Sequence, residues 1–326
     1  MPRRVILRTL LAGMAASASC FAQTASTAAV ATPTQPVPFL INMDSVRNAV
    51  VFLHRRDADG KLLEAGTGFL LLAPLKAQAD RGAVILVTAR HVVDPEWAKC
   101  PRQNNTHLFI RFNTKQVAPT DAASVEYLVD GGWTFPSDDS GDLAATLIDQ
   151  RIVDFTKLEN SPIKLSEVAS PNELAGMNTG AEIVSAGLLL GVSGEHRNYP
   201  IFKFGNISSR PSEQLSVQCT VGGEVRLMTE WLIAASLVPG NSGSPILYSP
   251  PGSSGVSFGG RASLIGVQSM SLMGSDIAGM TPISYLGNVL QQMDPTHLLN
   301  LDQFQVNGPI PSSTGSQIPF AAPPPK

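Results

Sequence analysis

The sequence predicts an all-β protein made of two antiparallel six-stranded β-barrels with a C-terminal helix. The chain has 326 residues, which is enough for about two structural units of roughly 100–200 residues each. Its 28 glycines and 25 prolines predict many turns, and frequent turns favour short strands over long helices. Apolar residues make up 43% of the chain and charged residues 15%, so it can bury a substantial core.

The strand patterns fall into two clusters of six. The first cluster comprises residues 49–53, 67–72, 83–87, 107–112, 125–129 and 143–148. The second comprises residues 182–190, 201–207, 215–220, 231–236, 244–248 and 262–270. Each is a short apolar run, and Gly, Pro or polar residues separate most of them. Only residues 283–293 show helical spacing of apolar side chains. We therefore expect a first barrel over 41–158, and a second barrel with the helix over 159–298.

Both ends of the chain differ in composition from its body. Residues 1–22 begin with Arg3 and Arg4, continue with an apolar stretch too short to span a bilayer, and end in small residues. This pattern predicts a signal peptide cleaved after Ala22, although lipidation at Cys20 stays open. Residues 23–40 are interpreted as a flexible leader, and residues 299–326 as a Pro-rich disordered tail. The protein is expected to be exported, either periplasmic or secreted.

Charge and cysteine content exclude several classes of function. The net charge is −3, with no basic stripe, so we expect no nucleic-acid partner and no membrane association after signal cleavage. No Cys or His pairs occur at metal-ligand spacing, so no metal is predicted. Cys100 and Cys219 remain after signal removal, and their separation leaves open whether they pair. The oligomeric state is also left open.

Three short stretches carry the residue types that acyl transfer requires. His91 directly follows a predicted buried strand, which would hold it rigidly at a barrel rim. Asp142 directly precedes an apolar run, so its carboxylate is drawn inward and needs a donor. Ser242 lies between Asn241 and Gly243, in a tight turn whose backbone amides can converge on one point. Together they offer a nucleophile, a base, an orienting acid and an anion-binding turn.

These stretches resemble the signature segments of the trypsin-like serine peptidases, which have the chymotrypsin fold. The order His, Asp, Ser matches that family, whereas α/β-hydrolases and subtilisins have other orders. The sequence Gly66-Thr-Gly68-Phe69 resembles the early strand before the family's histidine. Asn241 replaces the Asp that many animal-type members carry, so activation by an inserted N-terminus is not expected. Asn-Ser-Gly instead resembles the bacterial HtrA-like branch, here without a PDZ domain.

The resemblance implies specific roles. His91 would be the general base, Asp142 its orienting acid and Ser242 the nucleophile, with Asp138 and Asp139 as weaker candidates for the acid. The backbone amides of Gly240 and Ser242 would form the oxyanion hole, and no cofactor is required. The expected function is a serine endopeptidase acting on protein or peptide substrates. A catalytically silent binding module with the same fold is the alternative, and an esterase is a minor one.

The resemblance also implies substrate-binding positions. Ser236, six residues before Ser242, would lie at the base of the primary pocket, and Ser269, Met270 and Ser271 would form the wall that pairs with substrate backbone. A pocket without a buried acid would disfavour Lys or Arg and favour a small or medium apolar side chain. A preference for acidic side chains, through Gln268 or Ser236, stays open.

Overall fold

The computed structural model describes residues 42–304, except 58, 79, 101–106, 117, 119–120, 130, 193, 195, 220–221, 239, 250–261 and 272–274. The predicted signal peptide and leader, and residues 305–326 of the predicted tail, lie outside the described residues.

The first sheet contains the six strands that the sequence predicts. They are β1 (Val50–Arg56), β2 (Leu62–Pro74), β3 (Gly82–Thr88), β4 (Leu108–Asn113), β5 (Ser124–Val129) and β6 (Ala144–Leu147). Their order is β5-β4-β1-β2-β3-β6, all antiparallel. A short seventh strand, β7 (Ile163–Lys164), was not predicted and pairs in parallel with β2. The sheet therefore carries one more strand than expected.

The second half of the described chain forms a closed barrel and a separate hairpin. The remaining strands are β8 (Glu182–Gly187), β9 (Ile201–Ser209), β10 (Leu215–Gln218), β11 (Val225–Met228), β12 (Trp231–Ala234), β13 (Pro245–Tyr248), β14 (Ser263–Ser271) and β15 (Ile277–Pro282). The barrel closes in the order β12-β15-β14-β13-β8-β9. The second of the two predicted six-stranded barrels is confirmed, but one of the six strands assigned to it is wrong. The 215–220 run pairs with β11 outside the barrel, and the unpredicted β15 takes its place.

Four short helices accompany the sheets within the described residues. They are α1 (Met43–Ala49), α2 (Arg90–Val93), α3 (Pro171–Gly176) and α4 (Ser284–Met293). The predicted C-terminal helix is confirmed by α4, which buries Leu286, Val289 and Leu290. No helix of the described chain combines the length and the apolar character needed to cross a bilayer. Beyond α4, Leu299 bridges to Leu75 and Phe304 is buried, so residues 299–304 belong to the folded part.

One continuous apolar core includes side chains from both halves. Phe69, Leu86 and Leu143 of the first sheet belong to the same buried cluster as Ile246 and Val267 of the closed barrel. Shared burial of this kind fixes the strand ends of the two halves against each other, because burial of apolar surface is the main stabilising contribution in a folded domain. The junction carries the candidate site.

Candidate active site

His91 and Asp142 form a hydrogen-bonded pair at the ends of two adjacent strands. His91 lies in α2, which begins two residues after β3 ends. Its Nδ1 is 2.6 Å from Oδ2 of Asp142, and its backbone amide donates to Oδ1 at 2.9 Å. Asp142 is 1% exposed, two residues before β6 begins. Since β3 and β6 are neighbours in the sheet, their adjacent ends bring two residues 51 positions apart into contact.

The loop before Asp142 is fixed by polar and aromatic contacts. The Ser140 hydroxyl is 2.8 Å from Thr229 Oγ1 and 3.0 Å from the Tyr285 hydroxyl. A Cβ at Gly141 would lie 2.6 Å from the Tyr285 ring, so only glycine fits against this ring. These contacts set the direction from which Asp142 enters the interior.

The two competing aspartates have other partners. Asp138 accepts hydrogen bonds from Ser140 and from the Tyr285 hydroxyl. Asp139 is exposed and binds Arg90 at 2.9 Å, and it also contacts Arg226. Asp142 is thus the carboxylate that contacts the His91 ring, whereas the other two hold neighbouring loops.

The pKa of His91 is raised above its ordinary value of 6.5. Burial is the largest influence and lowers it, because a buried imidazolium loses hydration. The charge of Asp142 and its hydrogen bond act in the opposite direction and together outweigh burial. The pair therefore stabilises the protonated ring, which is the state that a general base reaches during catalysis.

Ser242 lies in a loop that two left-handed glycines shape. Gly240 has φ +94° and Gly243 has φ +90°, values that L side chains rarely adopt. A Cβ at Gly243 would collide with Thr67 and Thr88 and lie 3.1 Å from the Ala89 amide nitrogen. The residue after Ser242 therefore packs directly on the segment that leads into His91.

The Asn241 side chain stabilises the same loop by hydrogen bonds to backbone groups. Its Oδ1 accepts from the Val238 amide at 3.0 Å, and its Nδ2 donates to the Leu188 carbonyl at 2.8 Å. Asn241 is 1% exposed, and both its side-chain oxygen and its side-chain nitrogen bond to these backbone partners. The loop is thereby tied to the end of β8 through a neutral side chain.

Among the described residues, two backbone amides of this loop differ from their neighbours in having no backbone acceptor. The neighbouring amides of Asn241, Gly243 and Ser244 each donate to a backbone carbonyl. Among the described residues, the amides of Gly240 and Ser242 have no such acceptor. The Ser242 side chain is half-buried, and the described hydrogen bonds include none between its hydroxyl and the His91 ring.

A buried acid, Glu230, adjoins this site and was missed by the sequence reasoning. It is 1% exposed, contacts the Ser269 hydroxyl and accepts from the Thr281 hydroxyl at 3.1 Å. Burial raises its pKa from 4.5 to about 8, the two hydroxyls counteract this, and the charge of Asp142 adds to it. Glu230 is therefore predominantly protonated at neutral pH, and Asp142 has an uncharged acid beside it.

The three residues predicted to form the substrate wall lie at the end of β14. Ser269 falls at a bulge between the pairs Gln268–Met280 and Met270–Gly279, and the bulge turns its side chain inward to Glu230. On the other edge of β14, pairing with β13 ends at Val267, and Gln268 bonds to the Ser242 loop instead. Residues 269–271 thus present a strand edge that β13 does not cover.

The predicted pocket base, Ser236, is exposed and lies beside an acidic side chain. Its hydroxyl donates to Asp276 Oδ1 at 2.6 Å, and its carbonyl accepts from Lys203. Asp276 directly precedes β15, a strand that the sequence analysis did not identify, so its place beside Ser236 was not predicted. Asp276 is exposed, so the expectation of a pocket without a buried acid, and with it the preference for a small or medium apolar side chain, stays a prediction.

No family model matches the chain, and no curated protein matches it. Among solved structures, the chain is similar to an inactive mutant of the murine norovirus NS6 protease with a C-terminal extension. That similarity has a TM-score of 0.34 and 13% sequence identity, and covers 67% of this chain and 88% of that chain. Among the described residues, no group of three His, Cys, Asp or Glu side chains is placed to hold a metal ion.

Proposed function

We propose that this protein is an exported serine endopeptidase of the trypsin-like class. The observation that carries the proposal is the His91–Asp142 pair beside a loop in which the amides of Gly240 and Ser242 have no described acceptor. A binding module has no physical need for a buried carboxylate that raises the pKa of a histidine. A peptidase needs both features, since they serve proton transfer and oxyanion binding.

In the proposed mechanism, His91 takes the proton from the Ser242 hydroxyl as its oxygen attacks the peptide carbonyl. Asp142 accepts the Nδ1 proton of His91 in a hydrogen bond, which fixes the tautomer and stabilises the imidazolium. The amides of Gly240 and Ser242 bind the developing oxyanion. His91 then gives its proton to the leaving amine, and water hydrolyses the acyl-enzyme by the same route. Losing one oxyanion donor typically lowers turnover by about 10²–10³-fold.

The hydrogen bonds of Asn241 in the Ser242 loop support a site that forms without an N-terminus released by cleavage, as in the HtrA-like branch. The neutral Asn241 side chain bonds to the Val238 amide and the Leu188 carbonyl, so its contacts need no terminal ammonium group. An inserted amine would face an amide rather than a carboxylate and would gain no ion pair. We therefore expect activity without proteolytic activation.

The uncovered edge of β14 supports an extended peptide as substrate. Residues 269–271 continue past the end of β13 beside the Ser242 loop, and an added strand would satisfy their outward backbone groups. Such pairing recognises the backbone of the substrate rather than its side chains. This favours a peptide over a small ester, the substrate of the minor alternative.

Export is supported by the cysteine pair. The sulfur atoms of Cys100 and Cys219 are bonded, and such bonds persist in oxidising compartments. We expect the mature protein to begin at Gln23 and to occur outside the inner membrane. Mass spectrometry of the N-terminus and fractionation of the producing cell test this. An unprocessed N-terminus in the cytoplasmic fraction would contradict it.

A fluorophosphonate probe tests the proposed chemistry, because it reacts with an activated serine. The purified protein is expected to label, and Ser242→Ala is expected not to. Ser244→Ala is the matched control, since Ser244 lies two residues away in the same loop and its hydroxyl has no hydrogen-bond partner among the described residues. Absence of labelling in the wild type, with or without an unfolded protein substrate present, would favour the silent binding module.

A further inference from the structure

Thr67 of the first sheet contacts the Ser242 loop from the opposite half of the molecule. It lies in β2 between two glycines and is fully buried. Its hydroxyl donates to the Gly240 carbonyl at 2.7 Å and accepts from the Leu188 amide at 2.9 Å. Its own amide donates to the Ser242 carbonyl at 2.8 Å. One residue thus binds three backbone groups that lie more than 120 positions away in the sequence.

Thr67 is itself held in place from the His91 side. The Thr88 hydroxyl donates to the Thr67 carbonyl at 2.7 Å, and Thr88 is the last residue of β3, three positions before His91. The flanking Gly66 allows close approach, since a Cβ there would lie 3.0 Å from the Ser242 carbonyl oxygen. The position of the loop therefore depends on the same strands that carry the histidine.

The Thr67 hydroxyl binds the carbonyl of Gly240, the residue whose own amide is a proposed oxyanion donor. Gly240 has its carbonyl bound by Thr67 and a φ of +94°, so its backbone is constrained on both sides of Cα. The Ser242 carbonyl is fixed by the Thr67 amide in the same way. Both amides that have no described acceptor thus belong to residues whose carbonyls Thr67 holds.

We propose that Thr67 is the positioning residue that aims the Gly240 and Ser242 amides at the developing oxyanion. This inference rests on the proposed function. The Thr67 hydroxyl serves as donor and acceptor at once, and a valine of the same shape can do neither. Its loss would leave the Leu188 amide and the Gly240 carbonyl without their partner in a buried site, which favours rearrangement of the loop.

The test compares Thr67→Val, Thr67→Ser and Thr114→Val. Thr114 is a buried threonine of the first half whose hydroxyl bonds to the Ala122 carbonyl, so its valine variant loses a similar bond away from the loop. The fluorophosphonate labelling rate at saturating probe is measured per folded molecule, together with the probe concentration that gives half this rate. Thr67→Val is expected to lower the saturated rate by about 10- to 100-fold and to leave the half-saturating concentration nearly unchanged.

Thr67→Ser keeps the hydroxyl and should label at close to the wild-type rate, as should Thr114→Val. Equal labelling of Thr67→Val and wild type would overturn the positioning role while leaving the proposed function intact. A similar loss in Thr114→Val would also overturn it, because the effect would then reflect general destabilisation.

Hydrogen exchange separates this inference from the proposed function. In peptides covering residues 238–244, Thr67→Val should exchange about tenfold faster than wild type, and Thr114→Val should not. This result is independent of any reaction at Ser242. If the wild type never labels, the proposed function fails, and the exchange rates alone decide whether Thr67 positions the loop. Unchanged exchange in Thr67→Val would overturn the inference.

Discussion

Glu230 makes the stability of the fold depend on pH. Its pKa is raised from 4.5 to about 8, so between these values the folded protein holds a proton that the unfolded chain has lost. The free energy of unfolding therefore falls as pH rises through this window. At about 1.4 kcal/mol per pH unit, the total loss is about 5 kcal/mol. Glu230→Gln keeps a hydrogen-bonding group but cannot ionise, so it should be more stable than wild type at pH 9 and similar at pH 4.

Urea denaturation at both pH values measures this difference. Glu224→Gln is the matched control, because Glu224 is exposed and should show no such pH-dependent gain. Equal stabilities of Glu230→Gln and wild type at pH 9 would mean that Glu230 ionises normally in the folded state.

Asp142 raises the pKa of His91, and the variant Asp142→Asn tests this contribution. Burial lowers the pKa of His91, while the charge and hydrogen bond of Asp142 raise it. Asp142→Asn removes the charge, so the pKa of His91 should fall. NMR titration of the histidine Cε1 protons measures it. His54 serves as an internal reference, because burial lowers its pKa to about 4 and Asp142 is not among the causes. An unchanged His91 titration would contradict the pairing.

Asp142 and Glu230, the two buried acids, carry the same signal in the sequence. Asp142 was predicted because it directly precedes an apolar run, and it does contact the His91 ring. Glu230 directly precedes Trp231 and the apolar β12 in the same way, so the same signal was present and was overlooked. Thr67 could not be found this way. Its partners, Leu188, Gly240 and Ser242, are far away in the sequence, and nothing in a Gly-Thr-Gly sequence distinguishes a residue with such bonds from an ordinary strand residue.

At the scale of the element, the loop around Ser242 depends on glycine for two separable reasons. Gly243 has a left-handed φ, and a Cβ there would also collide with Thr67 and Thr88. Gly180 has nearly the same φ of +89°, but a Cβ there would meet nothing within 4 Å. Gly180→Ala should therefore cost about 1–2 kcal/mol of backbone strain alone. Gly243→Ala should cost more, and should also lose reaction with the fluorophosphonate.

Urea denaturation and probe labelling of the two alanine variants distinguish strain from collision. If both lose the same stability, the loop can shift to admit a methyl group, and the close packing of Gly243 on the His91 segment is not required.

The strands of the first half were predicted from sequence patterns more accurately than those of the second half. The first six predicted strands all form, because short apolar runs that are buried almost continuously, as in β1, β3 and β6, stand out between polar and turn residues. In the second half, β10 was assigned to the barrel, although its pattern of half-buried and exposed residues suits a surface hairpin. The closing strand β15 was missed, since its Gly279 and Pro282 read as turn residues. Burial of β15 follows from closure of the barrel, a property of the whole chain.

At the scale of the molecule, the two halves meet where the site lies. His91 and Asp142 come from the first sheet, and Ser242 precedes β13 of the closed barrel. The shared core and the bonds of Thr67 connect the halves on the inside. On the outside, Cys100 bonds to Cys219 beside β10, and Asp139 binds both Trp97 and Arg226. The relative placement of His91 and Ser242 thus depends on contacts between the halves.

The disulfide between Cys100 and Cys219 should stabilise the folded protein. It closes a loop of 119 sequence positions, and removing such a bond typically costs about 2–5 kcal/mol because the unfolded chain gains freedom. The double variant Cys100→Ser, Cys219→Ser should therefore unfold at lower urea concentration than wild type. A reducing agent should shift the wild type towards the variant and leave the variant unchanged. His91 and Asp142 both lie in the first half, where the adjacent ends of β3 and β6 bring them together, so His91 should keep its raised pKa in the double variant. A fall in that pKa on reduction would show that the disulfide itself holds the pair together.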